Sequence, residues 1–197
     1  SLDKLGPIVR LGPIDQLLFP IVPVAVVFLY PNSSSTTSTE LLPVSRLQRA
    51  LELLLDYYPH LTGRFQTNTV DNTPEIVNLG YGAEISSASC KARLDDFRSA
   101  PTARLTITDL PDGGNALLAP YMPVWEEICK NPVFTIMHTR FACGGVTLGV
   151  RLPHILCDAD GFFQVMRDLA ELYRGLSSGA SPDSLQLSQP TINKSYM

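Results

Sequence analysis

Residues 151–161 read Arg151-Leu-Pro-His154-Ile-Leu-Cys-Asp158-Ala-Asp160-Gly161, and this segment joins an apolar, β-forming run to a helical pattern. A histidine and an aspartate thus lie four residues apart at a predicted strand-to-helix junction, where α/β proteins often present reactive side chains to a cleft. A neutral imidazole is well suited to accept a proton from an alcohol or an amine near neutral pH. His154 is therefore the candidate general base. The pattern H-x-x-x-D is unspecific by itself, so the surrounding sequence has to support it.

The sequence on either side predicts an α/β fold, with a mixed β-sheet flanked by helices. Two β-rich runs, at 133–142 and 146–152, are separated by Cys143-Gly144-Gly145, which predicts a hairpin with positive φ angles at the glycine pair. After Gly161, apolar residues recur at helical spacing, and we expect that helix to end at Gly175.

The first half of the chain continues this pattern. Pro23–Tyr30 predicts the first strand, and the leucines of 42–58 predict a helix that Pro59 stops. Short strands are expected near 64–67, 75–79 and 103–109, and the polar stretch 32–39 predicts a surface loop.

Composition restricts the classes of partner. The chain has 197 residues, 45% of them hydrophobic and 17% charged, with a net charge of −4, which argues against nucleic acid or an anionic membrane as the main partner. The longest apolar run is Val24–Tyr30, about a third of a membrane span, and we expect no secretory signal. The four cysteines have no C-x-x-C spacing, which predicts reduced thiols in a cytoplasmic protein and no metal site.

Three further segments follow one another in a specific order. The first contains Leu11-Gly-Pro-Ile-Asp-Gln followed by Val27-Phe-Leu-Tyr-Pro. The second is the predicted helix after Leu47, which leads into Pro59-His-Leu-Thr-Gly-Arg. The third, directly before the His154 segment, is Phe141-Ala-Cys-Gly-Gly-Val-Thr-Leu-Gly. This order resembles the N-terminal half of the BAHD acyltransferases, an acyl-CoA-dependent family of specialised metabolism.

The resemblance implies a chloramphenicol-acetyltransferase-like fold and a transfer reaction. An acyl group would pass from an acyl-CoA thioester to a hydroxyl or an amine of a small-molecule acceptor, with His154 as the general base in a ternary complex. Acyl-CoA would be a co-substrate. No permanently bound cofactor and no metal would be needed, because the thioester is already activated.

The resemblance also assigns roles within the motif. Asp158 would be structural, a buried carboxylate that turns away from His154 and pairs with an arginine, and not the third member of a Ser-His-Asp-like triad. Gly161 would share this structural role, although the family's usual H-x-x-x-D-G is lengthened here by Ala159 and Asp160. Asp160 is expected to be an acid favoured by the N-terminus of the helix.

Two more residues near the predicted site have alternative interpretations. Cys157 could form an acyl-enzyme, but a free cysteine is more often a small buried hydrophobe, which we favour. Tyr30 is a candidate for the border of the acceptor pocket, with a sheet-capping aromatic as the equal alternative.

The family's second motif, D-F-G-W-G, is absent from this sequence. We therefore predict an N-terminal domain at 1–175 and the start of an interdomain linker at 176–197, with nothing packed after the helix. A second polypeptide or segment carrying the C-terminal half is the expected partner. One alternative is a condensation-type domain acting on carrier-bound acyl groups, but such domains resemble H-H-x-x-x-D-G, and Pro153 before His154 disfavours this. The other alternative is a non-catalytic binding module of the same fold.

Overall fold

The computed structural model describes residues 6–13, 15–17, 19–32, 40–100 and 102–187. Over these residues the chain forms a four-stranded mixed sheet, a three-stranded antiparallel sheet and helices packed against them, which confirms the predicted α/β class. The strands are β1 (Val9–Arg10), β2 (Pro23–Tyr30), β3 (Arg64–Thr67), β4 (Pro74–Val77), β5 (Glu84–Cys90), β6 (Thr135–Phe141) and β7 (Val146–Pro153). The α-helices are α1 (Val44–Tyr57), α2 (Trp125–Lys130) and α3 (Ala159–Ser177).

The larger sheet has the order β2-β7-β6-β5. Strand β7 pairs antiparallel with both β2 and β6, whereas β5 pairs parallel with β6. The alternate side chains Val146, Leu148, Val150 and Leu152 of β7 are buried in one core together with the apolar faces of α1 and α3. Strand β7 is therefore a rigid central support for the residue that follows it.

The opposite face of this sheet is covered by irregular chain with 3₁₀ turns. Its smaller core contains Leu94, Leu110, Leu117 and Phe141. At Gly149 this cover lies directly on β7, since a Cβ built there would be 1.8 Å from the carbonyl oxygen of Leu117. Glycine is required at this position because the two backbones touch.

Most of the predicted elements are confirmed. The first strand occupies Pro23–Tyr30, helix α1 ends before Pro59, and β3 and β4 lie at or next to the predicted positions. The hairpin between β6 and β7 is also present, but of its glycine pair only Gly144 has a positive φ, of 78°. Of the predicted loop at 32–39, residues 33–39 lie outside the described residues.

Two predictions are wrong, and one strand was missed. The expected strand at 103–109 is instead a 3₁₀ turn at Ile107–Asp109, where the Asp109 carboxylate accepts the backbone N–H of Thr106. Strand β5 was not predicted. Helix α3 does not end at Gly175, because that residue packs against Leu185 and the helix runs to Ser177.

Within the predicted linker at 176–197, the residues that the structure describes are packed against the rest of the chain. Leu187 is buried in the main core, and its backbone N–H bonds the Tyr57 hydroxyl at 3.4 Å. The compact part of the chain therefore extends to residue 187, and 188–197 lies outside the described residues.

Candidate functional site

His154 is the first residue after β7, in a single 3₁₀ turn formed by His154–Leu156. Its backbone N–H donates to the carbonyl of Val22 at 2.8 Å, which ties it to the residue before β2. The next two residues, Ile155 and Leu156, are buried in the main core. The backbone at His154 is thus fixed by a strand on one side and by core packing on the other.

The imidazole of His154 is half-buried. Its Nδ1 is shielded from solvent and has no hydrogen-bond partner among the described residues. Nε2 is the other ring nitrogen, at which a proton could be exchanged with a substrate. A triad-like arrangement would place a carboxylate on Nδ1, and none is there.

Asp158 is the N-cap of α3. Its Oδ1 accepts the backbone N–H of Gly161 at 2.8 Å, the usual bond between a cap and the third residue of a helix. Among the described residues Asp158 is exposed and makes no salt bridge, so its predicted burial and pairing with an arginine remain a prediction.

The neighbouring residues fit the same local geometry. Asp160 is exposed in the first turn of α3, where the helix dipole favours an acid. A Cβ at Gly161 would lie 3.3 Å from both Asp158 Oδ1 and Cys157 Cβ, so the capped turn is tight at this glycine. Burial, and secondarily Asp158, raise the pKa of the Cys157 thiol to about 12. That thiol is protonated at neutral pH and is a poor nucleophile.

The structure does not bring Tyr30 to His154. In the β2–β7 pair, Pro23 lies opposite Pro153 whereas Tyr30 lies opposite Val146, so Tyr30 and His154 stand at opposite ends of the strands, roughly 25 Å apart. Tyr30 instead lines a cavity of about 650 Å³ between the sheet and α3, together with Phe28, Phe163, Met166 and Tyr173. The acceptor-pocket prediction for Tyr30 therefore has no support in the geometry.

Two residues near His154 were missed by the sequence analysis. Arg151 lies on β7 three residues before His154, and its guanidinium stacks on the Tyr121 ring with 4.6 Å between the guanidinium carbon and the ring centroid. Tyr121 in turn donates its hydroxyl proton to the carbonyl of Ile21. An arginine inside an otherwise apolar strand was the available signal for this contact.

No cluster of three or more histidine, cysteine, aspartate or glutamate side chains able to hold a metal ion occurs in the part of the chain that the structure describes. Within the same residues, no helix combines the length and the apolar character needed to cross a bilayer.

Comparison with known proteins identifies the family. The sequence profile described as Transferase family matches residues 8–187, nearly the whole chain. The chain belongs to this family, the BAHD acyltransferases.

Curated BAHD relatives support this membership. The spermidine coumaroyl-CoA acyltransferase of Arabidopsis thaliana is 34% identical over 136 residues, covering 68% of this chain and 28% of the relative. The taxadien-5-alpha-ol O-acetyltransferase of Taxus chinensis is 30% identical over 151 residues, covering 75% of this chain and 31% of the relative. The chain thus spans about a third of the length of the BAHD relatives it matches.

Solved structures support the fold. Vinorine synthase superposes with a TM-score of 0.63 at 20% identity, over 85% of this chain and 38% of that one. TRI101 of F. sporotrichioides, in complex with coenzyme A and T-2, superposes with a TM-score of 0.59 at 21% identity, over 88% and 42% of the two chains. The starter condensation domain of the rhizomide synthetase RzmA also superposes, with a TM-score of 0.59 at 15% identity, over 90% and 40%. The chloramphenicol-acetyltransferase-like fold of this BAHD chain is thereby confirmed, and the fold alone does not separate acyltransferases from condensation domains.

Proposed function

We propose that this chain carries the general base of an acyl-CoA-dependent acyltransferase that acts on a hydroxyl or an amine of a small-molecule acceptor. The observation that carries the proposal is the position of His154. In a chain that belongs to an acyltransferase family, it follows a buried central strand, and its imidazole is half-buried with Nδ1 shielded and not bonded to a carboxylate.

The proposed reaction takes place in one complex of enzyme, acyl-CoA and acceptor. As the acceptor oxygen or nitrogen attacks the thioester carbonyl, its proton passes to His154 Nε2. The resulting tetrahedral oxyanion collapses, the carbon–sulfur bond breaks, and the coenzyme A thiolate takes the proton from His154. The products are the acylated acceptor and free coenzyme A, and the imidazole returns to its neutral form.

We assign Asp158 and Gly161 to shaping the start of α3, and we assign no covalent role to Cys157. Asp158 Oδ1 is engaged with the backbone of α3, and no carboxylate bonds His154 Nδ1 among the described residues, which supports a structural role for Asp158. The high pKa of the Cys157 thiol favours direct transfer over an acyl-cysteine intermediate.

We propose that a C-terminal half, in the same polypeptide or a separate one, completes the site and supplies hydrogen-bond donors for the oxyanion. The support is an apolar surface around His154. Leu17 is 80% exposed in the turn that contacts the His154 turn, and Phe19 is 75% exposed in the turn leading to Val22. Apolar surface of this kind beside a catalytic residue favours burial by a partner.

The four cysteines are free thiols, and this supports the proposal that the reaction takes place in the cytoplasm, where thiols stay reduced. The condensation alternative is not favoured by any contact of the described residues. Condensation domains resemble H-H-x-x-x-D-G, and this chain has Pro153 in place of the first of those two histidines.

The proposal is tested with the complete natural polypeptide that contains this chain. Free coenzyme A release is measured with a panel of acyl-CoAs, with and without candidate alcohols and amines. His154→Ala should lower turnover on the order of 10²–10⁴-fold. The matched control is Asp160→Asn, an exposed acid six residues away that should leave turnover unchanged. Near-normal turnover by His154→Ala would refute the mechanism, and transfer from acyl-carrier protein but not from acyl-CoA would favour the condensation alternative.

A further inference from the structure

The pairing of β2 with β7 ends at the residue that follows β7. Pro23 and Pro153 lie directly opposite each other in a pair that needs no N–H of its own, because the bonds on either side of it come from the flanking residues. The donor that flanks this pair at the end of β7 is His154, which bonds the Val22 carbonyl at 2.8 Å. The position of His154 therefore depends in part on what holds Val22.

Val22 is held through the peptide unit that joins it to Ile21. The carbonyl of that unit accepts the hydroxyl proton of Tyr121, a residue distant in sequence. The Val22 N–H is also engaged, donating to Phe19 at 3.1 Å across a turn. Tyr121 is thus the long-range tie that fixes the acceptor of the His154 N–H.

Tyr121 is itself fixed to β7 by Arg151. The Arg151 guanidinium stacks on the Tyr121 ring, and its NH1 donates to the Ala119 carbonyl, two residues before Tyr121. Burial raises the pKa of Tyr121 and lowers that of Arg151, but a phenol and a guanidinium both keep their protons at neutral pH. The phenol therefore remains a donor, and the cation–π contact remains charged.

These contacts close a ring. It runs from Arg151 on β7 to Tyr121, then to the Ile21–Val22 peptide, then to the N–H of His154, and back along β7 to Arg151. We propose that Tyr121 and Arg151 are positioning residues for His154, an inference that rests on the proposed role of His154 as the general base.

The test is made in the complete natural polypeptide with Tyr121→Phe, which removes the hydroxyl and keeps the ring under Arg151. Amide hydrogen exchange at His154, resolved by mass spectrometry with fragmentation, should become roughly three- to tenfold faster. The value of kcat should fall by a similar factor while KM for acyl-CoA stays within about twofold, because binding is not the step affected. Arg151→Lys, which keeps the charge and loses the planar stack, should act in the same direction and serves if Tyr121→Phe does not fold.

Tyr81→Phe is the matched control. Tyr81 also lies under an arginine, with 5.8 Å from the Arg64 guanidinium carbon to the centroid of the Tyr81 aromatic ring. It lies in the loop before β5 and takes no part in the contacts that connect Arg151, Tyr121 and Val22 to His154. It should change neither exchange nor kcat. Unchanged exchange at His154 in Tyr121→Phe, or faster exchange with unchanged kcat, would overturn the proposal. Hydrogen exchange at His154 is measured without turnover. If His154→Ala kept its activity, the role of His154 as the general base would be rejected, and the exchange result would still show whether Tyr121 and Arg151 hold the His154 backbone.

Discussion

The Asp158 carboxylate accepts the backbone N–H of Gly161 at 2.8 Å, so the acid and the glycine of the motif are joined to each other as a helix cap. The donor is the third residue of the helix, which explains how two residues can stand between Asp158 and Gly161 without loss of the contact. The cap begins α3 immediately after the His154 turn. In this chain the motif therefore combines one candidate reactive group with the structure that starts the next helix.

The first prediction concerns the Asp158 cap. Asp158→Asn should lower the free energy of unfolding by less than about 0.5 kcal/mol, because asparagine caps helices nearly as well, whereas Asp158→Ala should cost about 1 kcal/mol. Urea unfolding of both variants measures the difference, and Asp158→Asn should keep most of the turnover. A variant Asp158→Asn with normal stability and no turnover would instead indicate a triad member.

The second prediction concerns Cys157. Its thiol stays protonated at neutral pH, since burial and Asp158 raise its pKa to about 12, so it should not be acylated. Cys157→Ala should keep turnover within about twofold. Intact-mass measurement after incubation with acyl-CoA alone should show no adduct. A Cys157 acyl group that passes to acceptor as fast as overall turnover would contradict the ternary-complex mechanism.

The parts of the fold that sequence could predict are those with a local signal. Pro23–Tyr30 is an apolar run between prolines, and the structure gives the strand the same bounds. The turn at Gly144 lies between two β-rich runs, which is enough to predict a hairpin. His154 could be placed at a strand-to-helix junction because the residue period changes there, although its role as a base remains a prediction.

The parts that could not be predicted depend on contacts between distant residues. Strand β5 is made largely of small and polar residues, and it exists because it pairs in parallel with β6. The contact between Arg151 and Tyr121 joins residues thirty positions apart; the arginine within the strand is a local signal, but no local pattern identifies Tyr121 as its partner. Gly175 is an ordinary helix residue packed on Leu185, although glycine near the end of a helical pattern usually indicates a C-cap.

The third prediction concerns the close approach of two backbones at Gly149. An added Cβ would lie 1.8 Å from the Leu117 carbonyl oxygen, and β7 cannot move away without disturbing the sheet, so the segment at Leu117 would have to shift. Gly149→Ala should therefore lower the free energy of unfolding by on the order of 3 kcal/mol or more. Gly179→Ala is the control, because Gly179 has a φ of +84° but no atom within 4 Å of an added Cβ, so it should cost only about 1 kcal/mol. Equal losses in the two variants would show that the contact at Leu117 is not rigid.

The fourth prediction is a pH dependence of stability from His60. Burial lowers the pKa of this imidazole from 6.5 to about 4 in the folded chain. Between those values the unfolded state binds the proton and the folded state does not, so the free energy of unfolding falls as the pH falls.

Between pH 7 and pH 5 this should cost up to about 2 kcal/mol, an upper value because the His60 side chain keeps some surface exposure. His60→Gln removes the titrating group, so its unfolding free energy should fall less than that of the wild type over the same range. Urea unfolding of both proteins at pH 7, 6 and 5 measures the difference, in which the contribution of the shared carboxylates cancels. Identical pH slopes would mean that His60 accepts a proton in the folded chain as readily as in the unfolded one.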